Sequence, residues 1–118
     1  MQFMLLINED ESIYDGDEGA KRMEETLAGH MALAKAWAEK GVAFSGERLK
    51  LGSTATTIRW DAGTHTLHDG PFAETHEELG GFYIIDVASL DDALDWARQI
   101  PVPGKGAVEV RPIWPMEG

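Results

Sequence analysis

Apolar and polar positions divide the chain into recognisable segments. Phe3-Met4-Leu5-Leu6-Ile7 is an unbroken apolar run and predicts a central strand covered on both faces. The stretch 8–18 gathers Glu9, Asp10, Glu11, Asp15, Asp17 and Glu18, and reads as a solvated acidic loop. It lacks the alternating ligands, central glycine and closing glutamate of a calcium loop. Met23, Leu27, His30, Ala34 and Trp37 then recur every three or four residues, which predicts an amphipathic helix over 19–40. Met31 and Ala38 broaden its stripe, Asp17 is placed to cap it and Gly41 to end it. Gly29 falls inside it at a cost of about 1 kcal/mol relative to alanine. A close approach by another backbone or a ligand would rationalise that glycine, and so would simple tolerance.

The strand pattern resumes over 42–49, which holds Phe44 and Glu47. A second strand, 55–60, is rich in β-formers and turns at Asp61-Ala62-Gly63 into a hairpin partner over 64–69. After Gly70-Pro71 comes the strongly apolar 81–87. Ser89 caps a second helix with Asp91 and Asp92 in its first turn and a stripe of Leu90, Ala93, Leu94, Ala97 and Ile100. Pro101 and Pro103 stop it, and 108–113 alternates as a last strand with Pro112 at its boundary. Without the middle hairpin the order is β-α-β-β-α-β, the ferredoxin-like α+β arrangement, with two helices on one face of an antiparallel sheet. The opposite face also needs cover. A second copy of the chain would supply it as a symmetric homodimer; the extra hairpin folding over it is the alternative.

Composition narrows the function. The length of 118 residues, 43% of them hydrophobic, suits a single domain over 1–118. Cysteine is absent, so there is no disulfide framework, thiol nucleophile or zinc ribbon, in keeping with a reducing cytoplasm. A net charge of −11 argues against direct nucleic-acid binding and against an anionic membrane surface. The apolar start, 1–7, is too short to span a bilayer and lacks the basic leader and cleavage site of a signal peptide.

His30, on the apolar stripe of the first helix, is the leading candidate for chemistry. Oriented by Asp69 or Glu47, it would serve as general acid or base; a core histidine satisfied by a backbone carbonyl is the competing reading. Asp69 precedes Gly70-Pro71, where aspartate also simply makes the turn. Arg59 would bind a substrate carboxylate in bidentate fashion, or pair across strands with Glu47. Phe72 and Glu74 complete the constrained segment. His65 and His68 fall on opposite faces of their strand, so no metal site is expected. Gly80-Gly81 leads into a strand and lacks a phosphate-loop ending, and no serine elbow occurs. No cofactor is implied.

Met4 to Ile7, the helix carrying His30, Gly46-Glu47-Arg48-Leu49, Ala55-Thr56-Thr57-Ile58-Arg59, Asp69-Gly70-Pro71-Phe72-Ala73-Glu74, Leu79-Gly80-Gly81-Phe82-Tyr83 and Val108-Glu109-Val110-Arg111-Pro112-Ile113 occur in order. Together they resemble the DGPF group of YCII-related proteins over nearly the whole chain. The resemblance implies a ferredoxin-like fold that dimerises sheet to sheet, as in the dimeric α/β-barrel proteins. It also implies a His–Asp pair in a cleft with an open substrate class, and an association with alternative sigma factors. His68 stands where the group usually has threonine, and His76 where it usually has lysine. If that lysine serves a ligand site, the site here depends on pH instead.

Combining these readings, the chain is expected to bind a small polar or anionic molecule. His30 and Asp69 would act as an acid–base pair, with Arg59, Glu47, Phe72, Glu74 and His76 contacting the ligand. A non-catalytic regulatory or protein-interaction module is the alternative.

Overall fold

A computed structural model describes residues 1–72 and 77–116. Strand β1 (Gln2–Glu9) runs through the centre. Alternation sends Phe3, Leu5, Ile7 and Glu9 to one face, all buried, and leaves Met4, Leu6 and Asn8 half-buried on the other. The strand therefore extends two residues into the expected acidic loop. Glu9 continues the inward series instead of facing water. A 3-10 turn, Glu11–Tyr14, then leads into α1 (Gly16–Lys40).

Helix α1 begins after Asp15, not Asp17, and that aspartate makes no side-chain capping bond. Gly41 ends it in the left-handed conformation, φ 71°. Its buried positions are Gly19, Thr26, Leu33 and Trp37, with Met23 and His30 half-buried beside them. The face is thus rotated from the expected stripe: Met31 is 74% exposed, and Leu33 takes the core position. Both choices satisfy the helical period, and packing against the sheet decides between them. A Cβ at Gly29 would lie 3.0 Å from the Pro101 ring, so a close neighbour explains this glycine.

Strands β2 (Phe44–Arg48), β5 (Glu78–Asp86) and β6 (Gly106–Pro112) complete an antiparallel sheet in the order β2-β5-β1-β6. Helix α2 (Leu90–Ala97) is capped by Ser89, whose hydroxyl accepts the Asp92 N–H at 3.2 Å. Both helices pack on the same sheet face. Phe3, Leu5, Ile7 and Ile85 from the sheet meet Leu33 and Trp37 of α1 and Ala93 and Ala97 of α2. The α+β fold with a four-stranded antiparallel sheet, two helices and a hairpin is as expected from the chain.

The hairpin, β3 (Thr56–Asp61) and β4 (Thr64–Asp69), forms a separate two-stranded sheet. Its register puts Ile58, Leu67, Trp60 and His65 on one face and Thr57, His68, Arg59 and Thr66 on the other. The apolar face is open: Ile58 is 47%, Trp60 68% and Leu67 72% exposed. The molecule measures 48 × 46 × 18 Å. Its thin dimension holds one helix layer on one sheet, and a further layer would add about 10 Å. The hairpin is therefore an arm at the side of the slab and does not fold over the outer sheet face. That face carries Met4, Leu6, Phe82 and Ile84 on its two central strands.

Candidate functional site

The Gly80-Gly81 pair interrupts the β1–β5 ladder. The register passes from Ile7↔Gly81 to Asn8↔Leu79, so Gly80 is the extra residue of a bulge. A cavity of about 230 Å³ opens here between the sheet and the first half of α1. Its floor is Ile7, Glu9, Gly46, Gly81 and Tyr83; α1 supplies Met23, Thr26, Leu27 and His30. Leu49 and Leu51 stand at the side. The floor is glycine-lined for a steric reason: a Cβ on Gly46 would sit 2.6 Å from the Tyr83 ring.

His30 Nδ1 and the Tyr83 hydroxyl stand 2.6 Å apart. Tyr83 is held in turn by the core, its ring edge-on to Trp37 at 4.9 Å. Burial lowers the His30 pKa below 6.5, with Glu9 opposing and Arg48 adding to the shift. Burial also raises that of Tyr83. Both groups are therefore neutral at pH 7, and a single proton in their bond sets the tautomer. A proton on Nδ1 leaves Nε2 as a base; a proton donated by the phenol leaves Nε2–H as an acid.

Glu9 is the carboxylate of this cavity. It is 9% exposed, and the Tyr14 hydroxyl donates to its Oε2. Tyr14 is pushed up to about 12, first by burial and then by this bond. Beside it, both Glu11 carboxylate oxygens accept from the Gly52 N–H at 3.1 Å. Burial and a hydrogen bond with Glu78 push Glu11 up to about 7. Glu11 thus keeps its proton well above the usual carboxylate range, beside the start of β5.

Other expected residues are placed elsewhere. Asp69 is exposed at the base of the arm and lines no part of the cavity, so the expected His30–Asp69 pairing is not formed within the chain. The Asp-Gly-Pro segment closes the arm instead. Gly70 N–H donates to Ala55 O at 2.7 Å, the Thr57 hydroxyl donates to Gly70 O at 2.7 Å, and Gly70 has φ 115°, which favours glycine. Arg59 lies on the polar face of the arm, its guanidinium 5.0 Å from the Phe72 ring centre. Both are therefore outside the cavity. Glu47 touches the cavity rim, but it pairs with Phe82 on the outer-facing set of the sheet, so it does not orient His30. Its neighbour Arg48, opposite Gly81, faces inward. Glu74 and His76 lie outside the described residues.

Glu9, Glu11, Tyr14, Thr26, Arg48 and Tyr83 are polar cavity residues that the sequence reading did not select. For Glu9 a signal existed: it continues the Phe3, Leu5, Ile7 alternation. Among the described residues no group of histidines and carboxylates has the closeness of a metal site.

The profile of the YCII-related domain matches residues 1–117. The chain belongs to the YCII-related family. It is 40% identical over 117 residues to an uncharacterized protein of Rhizobium meliloti (strain 1021), covering 96% of this chain and 92% of that one. That close YCII-related relative carries no assigned activity in its name, so the reading of this site rests on its own geometry. No helix among the described residues is long and apolar enough to cross a membrane.

Proposed function

We propose that this YCII-related chain binds a small polar or anionic molecule in the cavity under α1 and performs cofactor-free proton transfer on it, as an isomerase or lyase would. One observation carries the reading: the His30–Tyr83 bond of 2.6 Å at a cavity wall that also presents the buried Glu9 carboxylate. Neutral His30 takes a proton from the substrate at Nε2, becomes the imidazolium and returns the proton to another substrate atom, while the Tyr83 oxygen accepts from Nδ1–H and holds the ring. Glu9, at a distance set by strand β1, favours the imidazolium formed transiently during transfer. The cytoplasm suits a cysteine-free chain of this kind.

The proposed working form is a homodimer through the outer sheet face. Met4, Leu6, Phe82 and Ile84 form an apolar centre there, and Ser45, Glu47, Glu109 and Arg111 on the edge strands form a polar rim. The open apolar face of the arm favours a second reading: a regulatory module that docks a protein, an alternative sigma factor among the candidates, and catalyses nothing.

Exchange of carbon-bound protons separates the two. Pyruvate, acetoacetate and oxaloacetate are incubated with the protein in D2O and followed by proton NMR. The proposal expects exchange above the buffer rate with wild type and none above it with His30→Gln. Equal exchange by both proteins, or none by either, removes the proton-transfer reading.

A further inference from the structure

Arg48 is oddly placed for an arginine in so acidic a chain. With 21 aspartates and glutamates against 10 lysines and arginines, carboxylates are plentiful. Yet Arg48 forms no ion pair among the described residues, and its Nη2 donates to the Met23 sulfur at 2.9 Å. A thioether is a weak acceptor for a guanidinium. The strand register nonetheless holds Arg48 on the inner face, at the cavity wall beside Met23 and Leu49. Its charge bears on both His30 and Tyr14.

The carboxylates nearby are engaged elsewhere. Glu9 accepts from Tyr14, and Glu11 accepts from Gly52 and is hydrogen-bonded to Glu78. Glu47 belongs to the outer-facing set. The guanidinium fork is therefore free to take an anion supplied from outside, and carboxylate matches its two-donor geometry. Around it the walls are apolar: Ile7, Met23, Leu27, Leu49 and Leu51. An all-polar ligand would leave those walls unmatched.

We infer that Arg48 is the anion anchor of the cavity and that its ligand is a small carboxylate with an apolar body, held by the guanidinium at the wall while its body reaches toward His30. Met23 holds the guanidinium in place between ligands and yields it when a carboxylate arrives. This rests on reading the cavity as a ligand site, and it assigns to Arg48 the part that the sequence suggested for Arg59.

The test uses benzoate and its neutral isostere benzamide, titrated into isotopically labelled full-length protein and followed by amide and arginine side-chain chemical shifts. Benzoate is expected to shift Arg48, Met23 and His30, and benzamide to bind at least about tenfold more weakly. Arg48→Met should lose the benzoate preference while Arg48→Lys keeps part of it. Arg48 is exposed, so a thermal midpoint near wild type will show that both variants fold. Equal affinity for the two probes, or unchanged benzoate binding in Arg48→Met, overturns the anchor and leaves the cavity reading standing. If neither probe moves a cavity residue, both readings fall.

Discussion

The side chains of His30 and Tyr83, 53 positions apart in sequence, meet at 2.6 Å across the gap between helix and sheet. Tyr83 cannot retreat, because Trp37 packs against its ring and Gly46 leaves only enough room beneath it. The histidine is thus oriented from the core side and its other nitrogen is left for a ligand. Replacing Tyr83 by phenylalanine keeps the ring packing and deletes one hydrogen bond. Stability should fall by about 1 kcal/mol, and exchange activity by about tenfold or more. Long-range nitrogen–proton spectra of His30 should show a changed tautomer balance; an unaltered imidazole spectrum would contradict the assigned orientation.

Acidification should weaken the fold through the same histidine. Its folded pKa lies below the 6.5 of the unfolded chain, so the unfolded state binds more protons as pH falls. The stability that neutral His30 contributes is complete above 6.5 and is lost as pH drops through its lowered folded value. Wild type should therefore lose more thermal stability than His30→Gln between neutral and mildly acidic pH.

Glu11 works with the opposite sign. Its pKa is about 7 when folded and 4.5 when unfolded, so the folded state holds the extra proton. Its contribution is full below pH 4.5, declines from there to about pH 7, and is flat above. Glu11→Gln keeps a donor toward Glu78 without titrating. The difference in thermal midpoint between the two proteins should change over that interval, and a constant difference would refute the raised Glu11 pKa.

The rotated face of α1 gives a plain mutational contrast. Leu33 is 5% exposed against the core, and its change to alanine should cost about 2–5 kcal/mol. The same change at Met31, 74% exposed, should stay within about 0.5 kcal/mol. Denaturant melts of the two variants measure this directly.

The arm supplies a test of assembly. A double change of Trp60 and Leu67 to serine removes most of its open apolar face without touching the main sheet. Light scattering on wild type, on this variant and on Leu6→Glu tests the proposed homodimer, and a monomeric wild type would refute it. A dimer lost only with Leu6→Glu uses the sheet face, and one lost with the arm variant uses the arm.

Local patterning revealed the architecture because it is written in short-range signals: the apolar run of β1, the Ser89 cap, Gly41 as a helix stop, and the Asp61-Ala62-Gly63 turn. It placed His30 on the inner side of α1 for the same reason. The partner of His30 was not legible, because Tyr83 reaches it through sheet order and register, which pairwise spacing does not encode. Asp69 drew attention because a rigid turn and a rigid site share a composition. The Gly70 bonds to Ala55 and Thr57 show that here the rigidity serves the arm. Glu9 was hidden by its acidic neighbours, though the alternation of β1 already included it. Arg48 and Glu47 differ by a single step along β2, and that step puts Arg48 on the inner face of the sheet and Glu47 on the outer one.

Because Glu9 ends the strand that also carries Phe3, Leu5 and Ile7, the buried carboxylate of the cavity belongs to the most tightly packed strand of the core. The floor is consequently slow to drift under mutation, since any change that loosens it also threatens folding. Met23, Leu27, Leu49 and Leu51 bear no such burden. Variation between related chains would thus fall first on these four walls, while the floor and its buried carboxylate stay as they are.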